Sequence, residues 1–351
     1  MKKFFAILLC LCMVFAAVAC GEKEAEYKLG MGTVVSMDSS KTGNAQVDAT
    51  VATVVTDADG KIVACRLDVA QNKFDLTKDF AAEAAKKFET KMELGDRYGM
   101  ASFKIDNDKN GVTKEWYEQA KAFESYVVGK TVAEVEAIKT QEAGGHLIAV
   151  DKALLDAGCS MQITDFIAAV VKACKDDQGM SFKAVADSFT LGVAAKTVAN
   201  ESKAATAEAD GTVAMYSDFA AAVVADGKII ATVNDAIQPK ITVNAAGEIV
   251  AKAFSGTKRE LKEGYNMVKF GSNLDNNGDG KVLEWYVQSA EFSKYVVGKT
   301  ATEVAGMKTT PATQGSVGYM ISADADLLAA GCTIQIGAIC AVVAQSATNA
   351  R

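Results

Sequence analysis

The chain repeats itself. "EWYEQAKAFESYVVGKT" from Glu115 returns as "EWYVQSAEFSKYVVGKT" from Glu284, and "TKMELGDRYGM" from Thr90 returns as "TKRELKEGYNM" from Thr257. "DADGKIVA" from Asp57 answers "ADGKIIA" from Ala225, and "YKLGMG" from Tyr27 answers "FTLGVA" from Phe189. The offset is 167 between Gly60 and Gly227 and 169 between Trp116 and Trp285. That period is too long for a solenoid repeat and suits a whole domain. The chain therefore reads as two tandem homologous domains, 27–178 and 186–349, meeting in "DDQGMSFKAVADS" at residues 176 to 188.

Within each unit the pattern is α+β, a β-hairpin or small sheet packed with several short helices. "QVDATVATVVTDADGKIVACRLDVAQ", residues 46 to 71, reads as strand, Asp-Gly turn and strand. A helix follows from about Lys114, with Trp116, Ala120, Phe123 and Val127 on one face. Gly129 ends it, and "TVAE" at 131 and "TATE" at 300 are capping boxes for the next short helices. A last strand and the apolar helix "ITDFIAAVVKAC" close the first unit.

The N-terminus carries an address. Lys2 and Lys3 precede an apolar run from Phe4 to Ala19, the form of a secretory signal and short for a membrane span. "AVAC" at 17 to 20 looks like a lipobox, which makes residues 1–19 the signal, Cys20 the lipidated residue and 20–26 a tether. The expected location is the extracytoplasmic face of a cell membrane, held by lipid. Removal of Lys2 and Lys3 takes the net charge from -7 to about -9, against the basic face that nucleic acid requires. Of the remaining cysteines, Cys65, Cys159, Cys174, Cys332 and Cys340 are odd in number, so small apolar core residues are a better reading than a disulfide scaffold.

Several motifs point to chemistry with unequal force. "VVGKT" resembles the end of a phosphate loop, but Glu124 and Ser293 occupy the place of its first glycine. His146 is the sole histidine, which leaves a histidine triad or zinc site without ligands and suggests a loop residue. "DNDKNG" at Asp106 and "DNNGDG" at Asp275 fit the oxygen-rich start of a calcium loop, with Asp106, Asp108, Asn110, Asp275, Asn277 and Asp279 as ligands. Their twelfth positions are Tyr117 and Tyr286 rather than glutamate, and a polar turn before a helix explains the same residues. Trp116 could stack on a planar ring, although its helical spacing equally suits the core.

Taken together, the lipobox, the two units, "YKLGMG", "VDATVATVVTDADGKI", "ELGDRYGM" and "KEWYEQ…VVGKT" resemble the PplA-type surface lipoproteins of Gram-positive extracellular electron transfer. The resemblance implies FMN, joined through its phosphate to a threonine hydroxyl by a separate flavin transferase. It also implies electron relay from a membrane redox partner to acceptors outside the cell. Asp48-Ala49-Thr50 is similar to the short attachment sites of flavinylated proteins, with Asp48 positioning the Thr50 hydroxyl. It lacks the longer Ser-Gly-Ala-Thr form, and strand propensity alone accounts for a threonine here. In the second unit, aligning the Ala-Val-Val before the turn puts Phe219 opposite Thr50, with Thr212 the nearest substitute hydroxyl. An electron carrier needs no proton-transfer constellation; the protein sets exposure and potential. A two-domain solute-binding or structural surface lipoprotein without cofactor is the competing expectation. Cys20→Ser should release the protein from the membrane fraction into the medium, which immunoblotting of the two fractions checks.

Overall fold

The structure, a computed structural model, describes residues 23–104, 106–111, 113–269, 275–315 and 317–351. The signal run and Cys20 lie outside the described residues. The fold is α+β. In the first unit β1 (Ala25–Ser36), β2 (Asn44–Asp57) and β3 (Ile62–Asp75) form a meander. There follow α1 (Phe80–Ala85), α2 (Lys91–Leu94), α3 (Trp116–Val127) and α4 (Val132–Glu136). The hairpin β4 (Thr140–Ala143) and β5 (His146–Ala149), then α5 (Lys152–Asp156) and α6 (Thr164–Cys174), complete it.

The segment expected to join the units is itself structured. Its strand β6 (Met180–Ala184) adds to the first sheet, whose order is β3-β2-β1-β6, all antiparallel. The second unit repeats the order: β7 (Thr190–Val198), then β8 (Gly211–Ala214), β9 (Tyr216–Ala225) and β10 (Lys228–Ile237). Strands β11 (Lys240–Val243) and β12 (Ile249–Ala253) join β8 in a small side sheet. After it come α7 (Lys258–Leu261), α8 (Trp285–Tyr295), α9 (Ala301–Ala305), β13 (Thr309–Pro311), β14 (Met320–Ser322), α10 (Ala325–Ala329) and α11 (Gly337–Thr348). The main second sheet is β10-β9-β7. Among the described residues, no helix is long and apolar enough to cross a membrane.

Three apolar layers explain why these strands are apolar on both faces. Alternate residues of β2, Val47, Ala49, Val51 and Val55, meet Val193, Phe219, Ala221 and Val223 of the second sheet in one shared core. The opposite face of the first sheet, with Ala52, Val54, Leu67 and Val69, packs on Trp116, Phe123 and Phe166 from α3 and α6. The second sheet repeats this against Trp285, Phe292 and Ile339. Two sheets therefore stack face to face with helices outside, and the strands read as continuous hydrophobic runs. Each fully buried Phe or Leu contributes roughly 1.5–3 kcal/mol from burial.

The helices expected on the sequence form as their caps require. Trp116, Ala120, Phe123 and Val127 of α3 are all buried, and Gly129 follows at φ 83°. Thr131 and Thr300 each close a capping box with Glu134 and Glu303. His146 opens strand β5 and is exposed rather than lying in a loop. Across the units, Arg259 of α7 pairs with Asp176 at 3.0 Å, both side chains nearly sealed, and donates to the Gln178 carbonyl. At the far end, Arg351 reaches Glu124 of α3 at 2.8 Å.

Gly30 on β1 and Gly192 on β7 let the last helix of each unit lie directly on the strand. A Cβ at Gly30 would stand 2.1 Å from the Ala173 carbonyl oxygen, and one at Gly192 would stand 1.9 Å from that of Ser346. Neither backbone can yield without lifting the helix. Gly30→Ala and Gly192→Ala should each destabilise the protein by about 2–4 kcal/mol, more than ordinary overpacking because backbone is struck. Gly337→Ala, whose added Cβ meets nothing within 4 Å, should be neutral or slightly stabilising in the same urea titrations.

Candidate functional site

Both units build the same frame at one end of the helix-facing sheet surface. Thr90 caps α2 in a reciprocal box with Glu93, and Thr257 does so for α7 with Glu260. A buried strand carboxylate then fastens each short helix: Asp68 accepts from Met92 N at 3.1 Å, and Asp235 from Arg259 N at 3.0 Å. The first residue of each helix is a lysine laid over two rings. Lys91 Nζ lies 4.9 Å from the Tyr98 centroid and 5.6 Å from that of Trp116. Lys258 Nζ lies 5.0 Å from Tyr265 and 5.1 Å from Trp285. Such contacts stabilise an ammonium without neutralising it.

The tryptophans are core groups. Trp116 is 2% exposed, with Lys91 over its ring and Phe166 edge-on at 5.9 Å, so it has no free face for a flavin ring. The glutamate of each "EWY" has a structural task as well. Glu115 accepts from Met100 N at 2.9 Å and Ala101 N at 3.1 Å, and Glu284 from Met267 N and Val268 N at 2.9 and 3.2 Å. These carboxylates are turned away from the acidic loops, which bears on calcium. Asp106 accepts from Asn110 N and Gly111 N, and Asp275 from Asp279 N and Gly280 N, as polar turns do. Asp108 holds the Asn110 amide, Asp279 accepts from Lys281 N, and Asn277 donates to the Leu328 carbonyl. Asp108 Oδ1 and Asn277 Oδ1 are left buried without a partner. Among the described residues, no group of three or more His, Cys, Asp or Glu side chains stands ready for a metal.

Thr50 sits mid-strand on β2, between Val34 of β1 and Val69 of β3, with its side chain on the helix-facing surface. It is 5% exposed, where attachment by an external enzyme calls for an open hydroxyl. Asp48, two residues earlier on the same face, is half-buried and accepts both Gln46 Nε2 contacts, at 3.0 and 2.8 Å. Asp165 at the start of α6 completes this end. Burial and then the nearby Asp48 carboxylate raise its pKa, while Lys91 lowers it.

The register corrects the pairing of the two units. Ile62 N donates to the Lys130 carbonyl and Ile62 O accepts from Gly129 N; Ile229 repeats both bonds with Lys299 and Gly298. Thr56 faces Ile62, Val224 faces Ile229, and a bulge follows in both hairpins. Leu29 pairs with Val55 and Leu191 with Val223, so the equivalents run one residue short of the expected alignment. Asp218, not Phe219, is the counterpart of Thr50. Phe219 corresponds to Val51 and points into the shared core, since one residue of slip changes the face. Thr212 lies on β8 in the side sheet and is no counterpart either.

Around Asp218 the second unit opens a cleft of about 570 Å3. Its floor includes Tyr216 and Asp218 of β9, its walls Lys258, Tyr265 and Trp285, and its rim Tyr319 beside β14. Nothing in the sequence pattern marks it, because its residues come from many separated segments of the chain. The cysteines play no part: Cys159 and Cys332 are buried, and burial pushes both thiols up to about 12.

No family model matches the chain, and no solved structure matches it. A chlorophenol reductase of Desulfitobacterium hafniense is 39% identical over 100 residues, covering 25% of this chain and 28% of that protein. The chain thus spans well under a third of that relative, and the similarity is local.

Asp68 and Asp235 make the frame sensitive to pH. Burial is the main cause raising each carboxyl to about 6, against the lowering effect of their hydrogen bonds. The ionised form is therefore disfavoured in the fold relative to the unfolded chain, whose carboxyl titrates near 3.8. Stability from these two groups is fully present below about pH 4 and declines as pH rises through about 6. Asp68→Asn with Asp235→Asn should flatten that part of the profile, read as urea midpoints at pH 4, 5, 6 and 7.

Proposed function

We propose that the protein is a lipid-anchored extracytoplasmic carrier of FMN that relays electrons from a membrane redox partner to acceptors outside the cell. The observation that supports this most is the shared placement of Asp48 and Thr50 on the helix-facing end of the first sheet. Asp165 lies near Asp48 and Lys91 there, so the carboxylate of the attachment motif has charged neighbours, while Thr50 is buried beside it. FMN, when bound, would supply one- and two-electron transfer. The chain would hold its phosphate at Thr50 and present Lys91 as the local cation, without Trp116 as a ring contact. The alternative of a two-lobed solute-binding protein is less favoured, because apolar side chains of both sheets fill the space between the units.

The burial of Thr50 gives this reading a specific form. Attachment has to occur before the fold closes over the strand or while the covering helices stand off it, so the flavin transferase acts best on the chain as it folds. Coexpression with the transferase should add the mass of one FMN, less water, per chain. Addition of transferase to the folded protein should give far less. Thr50→Ala should abolish the gain and leave the circular dichroism spectrum unchanged. One flavin rather than two follows from Asp218, which has no hydroxyl. A peptide map with flavin at Thr212, or no covalent flavin at all, would overturn the assignment.

A further inference from the structure

The cleft of the second unit differs in charge from its counterpart. In the first unit the Asp165 carboxyl stands near both the Asp48 carboxylate and Lys91. The corresponding positions in the second unit are Tyr216 and Ala338, which carry no charge. Among the described residues, Lys258 has no carboxylate within 4 Å, and its ammonium rests only on the faces of Tyr265 and Trp285. Across the cleft, Asp218 makes no side-chain hydrogen bond among the described residues. Burial raises its pKa, and Lys258 and then Lys196 lower it through charge alone. An acid and a base thus face the same space of about 570 Å3 without touching. Each lacks what the other side of a single hydroxyl provides. Elsewhere the lining offers apolar surface at Tyr319, Ile321 and Ile339 beside polar side chains such as Gln314 and Gln335, and Tyr319 is 54% exposed, so its ring is available.

We infer that this cleft is a binding site for a small aromatic compound bearing an acidic hydroxyl. Its oxygen accepts from the Lys258 ammonium while its O–H donates to the Asp218 carboxylate, and its ring lies along Tyr319 and Ile339. A charged partner on each side of the hydroxyl makes both bonds stronger than neutral ones. The volume lies in the range of small-molecule sites, and the lining sets polar side chains such as Gln238, Gln314 and Gln335 beside its apolar walls. Glu201 also lines the cleft and is exposed, so it disfavours ligands with a second negative group. The inference stands apart from the flavin reading, which concerns the first unit.

The test uses the purified protein titrated with 4-nitrophenol, followed by the absorbance of its ionisable hydroxyl and by calorimetry. 4-Nitroanisole, which keeps the ring and loses the O–H, serves as the comparison. 4-Nitrophenol should bind at least about tenfold more tightly, the difference one charge-assisted hydrogen bond makes. Lys258→Gln should weaken it about tenfold or more, and Asp218→Asn should weaken it by a smaller factor. Lys91→Gln, the same change in the first unit, should leave it unaltered. Melting curves of all three variants establish that they fold. Equal binding of the two compounds, loss of binding in Lys91→Gln, retention in Lys258→Gln, or no binding of 4-nitrophenol would each overturn the assignment. Covalent flavin at Thr50 could be present or absent in any of these cases, so the two readings fail separately.

Discussion

Face-to-face packing of the two sheets sets the terms for everything else in this molecule. Each sheet must bury one surface on its partner and the other under its own helices, so its strands have no solvent face to spend on polar residues. The space is close, and small side chains fill it: Ala220, Ala221 and Ala222 follow one another on β9 and are all fully buried. Gly30 and Gly192 take this to its limit, with helix carbonyls where a side chain would begin. The same closeness explains the unpaired cysteines, which serve as small apolar groups in the helix-side layers.

Because the core is shared, the units also hold one another's short helices. Lys172 of α6 reaches Glu260 of α7 at 2.7 Å, and at the equivalent place Gln345 of α11 reaches Glu93 of α2 at 2.9 Å. Helices of four residues have no stability of their own. They are kept by a capping threonine, a buried strand carboxylate and a contact from the opposite unit. Lys91 and Lys258 ride on these helices, so their positions depend on both halves of the chain. An exposed pair such as Lys172–Glu260 contributes little energy. Its effect is on where α7 sits.

Much of this frame was legible in the sequence, for reasons that differ by element. The helix Trp116–Val127 and the capping boxes rest on local patterns with a local physical cause, and these elements form where the patterns place them. The face-to-face packing was not legible, since a strand buried on both sides looks the same whether a helix or a sheet covers it. Nor was the role of Glu115 and Glu284, whose backbone partners lie on a preceding loop rather than in the helix they begin. The alignment of Thr50 with Phe219 failed through hairpin geometry. The two turns differ in length, and a shared Ala-Val-Val cannot show which residue a bulge absorbs. Asp218 was therefore hidden as a functional candidate, although it was in view as the neighbour of Phe219.

With the register corrected, the two units separate into positions that match and positions that do not. The frame matches: Asp68 and Asp235, Thr90 and Thr257, Lys91 and Lys258, Trp116 and Trp285. The floor does not. Thr50 stands for Asp218, Asp48 for Tyr216, Val34 for Lys196, and Asp165 for Ala338. The differing residues lie on the helix-facing side of each sheet, outside the core shared between the sheets. Stability constrains the frame in both units alike, since each member closes a buried hydrogen bond or covers an apolar ring. The floor carries no such constraint, and its charges are nearly reversed between the copies, two carboxylates beside Lys91 against one beside Lys258 and Lys196. Two sites with one scaffold and opposite charge balance are suited to different ligands.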